Sequence, residues 1–186
     1  MSLKTVIKDH FQNNLIIKHG DVLTKSKDSY VEFYRKKKII IVREFIWSDL
    51  EECSQLFKQV FNAEPWYDKW TSLNQVKSYI YELTENPAFQ GFVVFEGPQM
   101  VAVCLGHRRS WWKGKEFFVD EFFVKNNIQG NGIGSRTLDV IKKILIKEGY
   151  ARINLLTNKD IPAEKFYLKN GFKKNINRTF LVKEFN

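Results

Sequence analysis

The sequence predicts an α/β fold in which a mixed, mostly antiparallel sheet carries helices on its faces. Runs rich in β-branched and aromatic residues, such as residues 39–43 and 115–124, have the composition of strands. Segments with apolar residues at helical spacing, such as residues 49–61, lie between them. Because the two kinds of segment are interleaved along the chain, they favour one layered sheet over separate helical and strand regions.

The first elements follow an N-terminal stretch that is hard to read. We treat residues 1–38 as an N-terminal extension, within which residues 28–38 are a candidate short helix. A single folded domain is predicted to span residues 39–186, a length that suits one domain. Its first helix, residues 49–61, is expected to begin after an N-cap at Ser48.

The remaining elements are predicted in sequence order. Residues 73–84 have the spacing of a helix that Asn86-Pro87 ends. A hairpin around Gly97-Pro98, a long strand, a long helix, a strand, a short helix and two tail strands follow. Their predicted ranges are 91–96, 99–108, 115–124, 132–148, 151–157, 162–170, 172–175 and 179–185.

The composition predicts a soluble cytoplasmic domain. Hydrophobic residues are 44% of the chain and aromatic residues 15%, which is enough for a core. No apolar run has membrane-spanning length, and no signal-peptide core begins the chain. Cys53 and Cys104 stand apart in apolar surroundings and are expected to be buried free thiols. The few histidines form no cluster with cysteines, so no metal site is predicted.

The net charge of +9 raises nucleic acid as a partner. Basic residues cluster at 35–38, at 107–109 and on the long helix, where their spacing is typical of a solvated face. A phosphate-rich cofactor would also use part of this excess. We therefore expect nucleic-acid binding not to be the main function.

A glycine-rich loop follows the strand at residues 115–124. Three alternating glycines, Gly130, Gly132 and Gly134, lie where this strand gives way to a helix. Such a loop lets backbone N–H groups approach a ligand, and a helix N-terminus attracts phosphate. The third glycine comes too early for the dinucleotide fingerprint, and no lysine completes a P-loop.

Two motifs resemble those of the GNAT N-acetyltransferases. Val124, Gln129, Gly132 and Gly134 match the family's Val-x-x-x-x-Gln/Arg-x-x-Gly-x-Gly/Ala loop. Residues 163–172 resemble its Ala-x-x-Phe-Tyr-x-x-x-Gly-Phe signature, at the expected distance downstream. The resemblance covers about residues 43–172. It implies the GNAT fold with splayed parallel strands, and transfer of an acetyl group from acetyl-CoA to a primary amine in a ternary complex, with CoA as product.

The same resemblance implies a set of cofactor-binding residues. Backbone groups of the strand end would hold the pantetheine arm, and the loop would bind the pyrophosphate. Asp160 stands where most relatives carry an asparagine that contacts the cofactor, and Asn158 is an alternative contact. The strand and loop positions are Phe122, Phe123, Val124, Gln129, Gly130, Asn131, Gly132, Ile133, Gly134 and Ser135.

Three residues are candidates for proton transfer. Tyr167 lies at the motif position of the family's general acid for the departing thiolate. Asp120 maps onto the carboxylate implicated in the polyamine-acetylating branch, whose acid-acid-Phe-Phe-Val sequence is similar here, and Glu121 is the second candidate. With a strand period of two, only one of these carboxylates is expected to face the cleft. Ordered water is an alternative proton acceptor.

The acceptor amine is less defined. Residues 61–70 lie between the first two helices, a region that borders the acceptor site in relatives. Its candidate contacts, Glu64, Trp66, Tyr67 and Asp68, would suit a cationic amine such as a polyamine, an aminoglycoside or a lysine side chain. For the tryptophans of this segment, packing between the helices is the favoured interpretation.

Two other functional classes remain open. The chain could be a CoA-binding sensor without catalysis, or a basic module that binds nucleic acid on the same fold. Residues 1–38 could form a homodimer contact, a lid over the substrate, or neither.

Overall fold

A computed structural model describes residues 31–35 and 38–185, with side chains from residue 39 onward. Described residues up to Leu156 form one compact unit, and those from Thr157 onward form a second. The strands and helices, in chain order, are β1 Val31–Arg35, β2 Lys38–Glu44, α1 Leu50–Phe61, α2 Leu73–Thr84, β3 Phe89–Glu96, β4 Gln99–Trp111, β5 Gly114–Val124, α3 Ile133–Lys147, β6 Tyr150–Leu155 and α4 Pro162–Lys169.

The described strands form one six-stranded sheet in the order β1-β2-β3-β4-β5-β6. Neighbours are antiparallel except β5 and β6, which are parallel. Parallel strands need a crossover, and α3 supplies it between β5 and β6. The predicted mixed, mostly antiparallel sheet is confirmed.

Each face of the sheet buries its own apolar core. Strand residues alternate between the faces, so Phe92 and Val94 belong to one core and Val93 to the other. One core includes Ile141 and Leu145 of α3, and we call this side the α3 face. The other is covered by α1 and α2, and we call it the α1/α2 face. Helices therefore lie on both faces, as predicted.

The start of α1 differs from the predicted N-cap. Ser48 lies in a 3-10 turn, Trp47–Asp49, and Asp49 is the residue that precedes the helix. The two terminal guanidinium nitrogens of Arg43 donate to the Asp49 carboxylate at 2.6 Å, and the Ile46 N–H donates to it at 2.9 Å. The buried carboxylate thus joins the end of β2 to α1, and this tertiary contact decides where the helix begins.

Two predicted local elements are wrong. Within residues 28–38, the described part forms strand β1, whose Val31 pairs with Val42 of β2. Pairing with a neighbouring strand outweighs the local helical pattern here. In the tail, residues 173–185 form no strand in the structure, and their large apolar side chains are exposed. The role of residues 1–38 and the homodimer stay predictions, because residues 1–30 lie outside the described chain.

No helix among the described residues is both long enough and apolar enough to cross a bilayer.

Candidate active site

Strand β5 has two halves with different surroundings. Residues 115–119 pair with β4 on one side and with β6 on the other. Pairing with β6 ends at Val119 and Leu155, so residues 121–124 pair with β4 alone. The parallel strands therefore separate at this point, and the second half of β5 presents an edge, which we call the open edge.

The backbone alternation decides which groups face the open edge. The Lys125 N–H donates to the Val101 carbonyl of β4 at 2.9 Å. Backbone N–H and C=O groups alternate in direction along a strand. Those of Phe123 therefore point toward β4, whereas those of Phe122 and Val124 point toward the open edge. The Gln129 side chain agrees with this assignment, since its amide nitrogen donates to the Val124 carbonyl at 2.8 Å.

A β-bulge lies where the strands separate. Leu105 pairs with Glu121 and Gly106 pairs with Val119, so Asp120 is the extra residue of β5. A bulge changes the alternation of side chains along the strand.

The core assignments show the effect of this bulge. Phe117 and Val119 lie in the core of the α3 face, and Phe122 and Val124 pack against that same core. In an unbroken strand, neighbouring side chains on one face are two residues apart, but Val119 and Phe122 are three apart. The bulge therefore turns both Asp120 and Glu121 toward the α1/α2 face, so the strand period of two, on which the choice between them was based, does not hold here.

Glu121 is a desolvated carboxylate held by a phenol. The Tyr79 hydroxyl of α2 donates to Glu121 Oε1 at 2.5 Å. The pKa of Glu121 is raised to about 7: burial is the main cause, the bond from Tyr79 acts in the opposite direction, and the charges of Asp120 and Asp68 add to the increase. Within the described chain, no lysine, arginine or histidine lies within 4.0 Å of this carboxylate. A carboxyl with a pKa near neutrality can accept a proton at physiological pH.

Asp120 lies beside a histidine that the sequence analysis did not single out as functional. His107 Nδ1 is 2.8 Å from Asp120 Oδ2, and both side chains are partly buried. The His107 ring also packs on Phe118 at 5.4 Å between centroids. The sequence could have predicted this contact from the tight turn at Trp112. A two-residue hairpin turn there sets the register of β4 and β5, which places His107 opposite Phe118 and hence close to Asp120.

The segment between α1 and α2 packs tightly at some positions and is exposed at others. Trp66 is partly buried and packs on Phe61 of α1 at 5.5 Å. The Asp68 N–H donates to the Phe61 carbonyl at 2.9 Å. Glu64, Tyr67 and Asp68 are exposed. Of the four predicted acceptor contacts, the structure therefore brings Asp68 close enough to Glu121 to act on its pKa.

Trp70 packs against both helices from the other side of the segment. Its ring lies between Phe57 of α1 at 5.2 Å and Tyr79 of α2 at 5.3 Å. Packing of this kind orders the Tyr79 phenol that holds Glu121.

The glycine loop leads from the open edge into α3. Gly130 and Gly132 have φ values of 72° and 84°, which favour glycine, and a Cβ at either would meet no atom within 4 Å. No side chain caps α3. The N–H groups of its first turn, Ile133 to Ser135, have no carbonyl partner within the helix. An exposed helix start with space before it can accommodate an anion.

The loop is also stabilised by its own side chains. The Asn131 amide nitrogen donates to the carbonyls of Ile128 and Gln129, at 3.3 and 3.4 Å. These bonds tie Asn131 to the 3-10 helix, Asn126–Ile128, and to the turn that follows it.

The second unit contains Tyr167, Asn158 and Asp160. Tyr167 is partly buried on α4 and packs on Phe166 and Phe172, at 5.2 and 5.3 Å. Asp160 and Asn158 are exposed. The φ of Asp160 is 64°, a region that aspartate and asparagine adopt more readily than most residues. Its N–H donates to a Glu164 carboxylate oxygen at 3.0 Å.

Neither cysteine is a reactive thiol. Cys53 and Cys104 are buried, and burial raises the pKa of both thiols well above the ordinary value. Among the described residues, no group of three His, Cys, Asp or Glu side chains could hold a metal ion.

A mixed sheet with a separated parallel pair, followed by a glycine loop at a helix start, defines the GNAT class of fold. The acetyltransferase (GNAT) family model matches residues 44–172. The chain therefore belongs to the GNAT acetyltransferase family.

Solved structures show the same fold at low sequence identity. A possible acetyltransferase from Clostridium difficile 630 is similar with a TM-score of 0.67 and 16% identity, over 79% of this chain and 99% of that one. Aminoglycoside N-acetyltransferase AAC(6')-Iy in complex with CoA gives 0.62 and 14%, over 81% and 99%. The aminoglycoside acetyltransferase meta-AAC0020 from an uncultured soil metagenomic sample, in complex with sisomicin, gives 0.61 and 15%, over 78% and 97%. No curated protein matches significantly.

Proposed function

We propose that this protein transfers the acetyl group of acetyl-CoA to a primary amine by direct attack in a ternary complex. The observation that carries the proposal is Glu121, a desolvated carboxyl that the Tyr79 phenol holds just beyond the point where β5 and β6 separate. It lies in the second half of β5, whose open edge leads to the glycine loop. Family membership supports acetyl transfer as the type of reaction.

The residues present fit acetyl-CoA. This substrate would supply a thioester-activated acetyl group and a pyrophosphate. Gly130 and Gly132 provide a glycine cradle in front of the α3 N-terminus, where a phosphate would meet N–H donors and the positive end of the helix dipole. The backbone of Phe122 to Val124 would hold the pantetheine arm along the open edge.

Glu121 is the proposed proton acceptor. An attacking amine must lose a proton, and a base works best when its pKa lies near the working pH. Asp120, first choice from the family motif, has a different role in this proposal: with His107 it would pass the proton to solvent. Asp68 would help to attract the ammonium form of the amine.

Tyr167 is the proposed general acid, on the strength of its motif position. A phenol with an ordinary pKa near 10 can protonate a departing thiolate. We expect Tyr167→Phe to lower kcat by about 10²-fold with acetyl-CoA affinity unchanged. Stopped-flow turnover and calorimetry check the two quantities separately, and full activity of the variant would reduce Tyr167 to a packing residue.

The acceptor is proposed only as a primary amine. Meta-AAC0020 and AAC(6')-Iy are aminoglycoside acetyltransferases, and at 14–15% identity they support the fold of this chain. The likeness of residues 120–124 to the polyamine branch stays a prediction, as do the contacts of Asn158, Asp160, Glu64 and Tyr67. A cytoplasmic location, with no membrane or nucleic-acid partner, also stays a prediction.

The cofactor assignment is tested by calorimetric titration with acetyl-CoA, desulfo-CoA and ATP. We expect micromolar binding of both CoA ligands and much weaker binding of ATP. Gly132→Asp should lower acetyl-CoA affinity by about 10²-fold, because a carboxylate would stand where the pyrophosphate binds.

Gly97→Asp is the matched control for that variant. Gly97 also has a positive φ and open space, but it lies in the β3–β4 turn, so its replacement should leave affinity unchanged. Absence of CoA binding by the folded wild type would overturn the enzyme proposal. Nucleic-acid binding across a salt series would then be measured, since the net charge is +9.

A further inference from the structure

The face that carries the two carboxylates continues along the β4–β5 hairpin. On β4, Leu105 is buried in the core of the α1/α2 face. Alternate positions share a face, so His107, Arg109 and Trp111 continue the same row toward the hairpin turn. Burial falls along this row: His107 is partly buried, whereas Arg109 and Trp111 are exposed. The helices therefore cover one end of the row and leave the other end open.

Aromatic rings position the cation at the open end. The Arg109 guanidinium lies 5.7 Å from the Phe118 ring centroid and 6.0 Å from that of Trp111. Such contacts orient a guanidinium and leave its N–H donors available for another group. Glu116 lies directly across the ladder from Arg109, but Arg152 of β6 binds it at 3.1 Å. No carboxylate of the described chain is within 4.0 Å of the Arg109 guanidinium.

The charge on this face consequently reverses along its length. Asp120 and Glu121 lie at the covered end, and the charges of Asp120 and of the exposed Asp68 both act on Glu121. At the open end, the two positive charges of Arg109 and Arg152 outnumber the single negative charge of Glu116, which lies between them. Four residues of β4 separate the level of Glu121 from that of Arg109, or about 14 Å at ~3.4 Å per residue.

We infer that the acceptor carries a carboxylate beyond its reacting amine, and that Arg109 binds this carboxylate while the amine meets Glu121. This inference rests on the proposed acetyl transfer. The span excludes a single α-amino acid, whose amine and carboxylate are adjacent. An extended peptide rises about 3.3–3.6 Å per residue, so an acidic side chain about three residues from the amine fits once the side chains extend. A polycation would place positive charge against the two arginines.

The test uses tetrapeptide amides that differ in one side chain. Ala-Ala-Ala-Glu, Ala-Ala-Ala-Gln and Ala-Ala-Ala-Lys, all with amidated C-termini, are compared with spermidine by thiol release and by calorimetric binding. We expect kcat/KM for the Glu peptide to exceed that for the Lys peptide at least tenfold, mainly through KM. Fusing the Glu sequence to the N-terminus of a carrier protein distinguishes protein acceptors from small peptides.

Charge reversal at one position tests the assigned residue. Arg109→Glu should invert the preference between the Glu and Lys peptides. Lys113→Glu makes the same charge change on the same hairpin, but its ammonium lies over Trp112, so the preference should be retained.

Each result decides between the two proposals. Preference for spermidine, or an unchanged order in Arg109→Glu, would overturn the inference while acetyl transfer stands. Activity on none of the four acceptors, with acetyl-CoA bound, would overturn it too. If acetyl-CoA does not bind, the proposed function fails. Calorimetric binding of the Glu and Lys peptides then still measures whether the protein prefers the acidic peptide.

Discussion

Two glutamates on β5 have opposite surroundings. Glu116, in the half paired on both sides, is buried and accepts bonds from Arg152 at 3.1 Å and Asn154 at 2.9 Å. Glu121, in the half with the open edge, is also desolvated, but its described partner is the neutral Tyr79 phenol. The comparison separates a carboxylate that stabilises the fold from one whose proton affinity is raised.

The difference follows from the neighbouring strand. Where β6 continues, it brings an arginine and an amide to the carboxylate, and these favour the charged form. Where β6 has ended, burial and two nearby carboxylates oppose ionisation. One strand therefore provides a structural glutamate and a candidate base within five positions.

Replacing Glu121, which has no cationic partner among the described residues, should have the largest effect. Glu121→Gln keeps the shape and a hydrogen-bond acceptor for Tyr79 but cannot take a proton. We expect kcat/KM to fall by about 10²- to 10³-fold, and the rise of wild-type activity through pH 7 to disappear. A pH–rate profile checks this. If the activity of the variant still rises through pH 7, the base is another group.

The same substitution should stabilise the protein at high pH. The folded-state pKa, about 7, lies above the ordinary value of 4.5, so the contribution of Glu121 is most favourable below pH 4.5 and is lost as pH rises through 7. At pH 8, Glu121→Gln should raise the unfolding free energy by about 1–3 kcal/mol. Urea unfolding should show no such gain below pH 5.

Replacing the paired carboxylate should act on stability and not on the chemical step. Glu116→Ala leaves Arg152 and Asn154 without their acceptor, and should lower the unfolding free energy by about 2 kcal/mol. The kcat per folded molecule should change less than twofold.

Lys143→Ala is the matched control for that stability change. It removes an exposed pair with Asp139 on α3, which should cost less than about 0.5 kcal/mol. A large loss of kcat in a folded Glu116→Ala protein would contradict the separation of roles.

The smallest predicted effect tests whether Tyr79 acts on the pKa of Glu121. The bond from Tyr79 lowers the pKa of Glu121, so Tyr79→Phe should move the activity limb to higher pH. Activity at pH 7 should fall about three- to tenfold and recover at pH 9. Tyr81→Phe, on the same helix but exposed, should leave the profile unchanged. An unshifted limb in Tyr79→Phe would argue that the bond does not act on the base.

Local patterns predicted most of the fold. The helices α1 to α4 and the strands β2 to β6 lie close to their predicted ranges, because apolar periodicity records which face each element buries. The errors at β1 and Ser48 arise where a contact with another element decides the backbone: β1 pairs with β2, and Arg43 of β2 binds Asp49 at the start of α1.

The sequence alone determined the family and located the glycine loop. Their signals, the glycines at 130, 132 and 134 and the spacing to Tyr167, are contained in short stretches of chain. Only the tertiary structure decided the roles open to Asp120 and Glu121. One extra residue in the β4–β5 ladder turned both toward the same face, and the end of β6 left Glu121 without a described cation. Register and burial are properties of several elements packed together, so no local pattern specifies them.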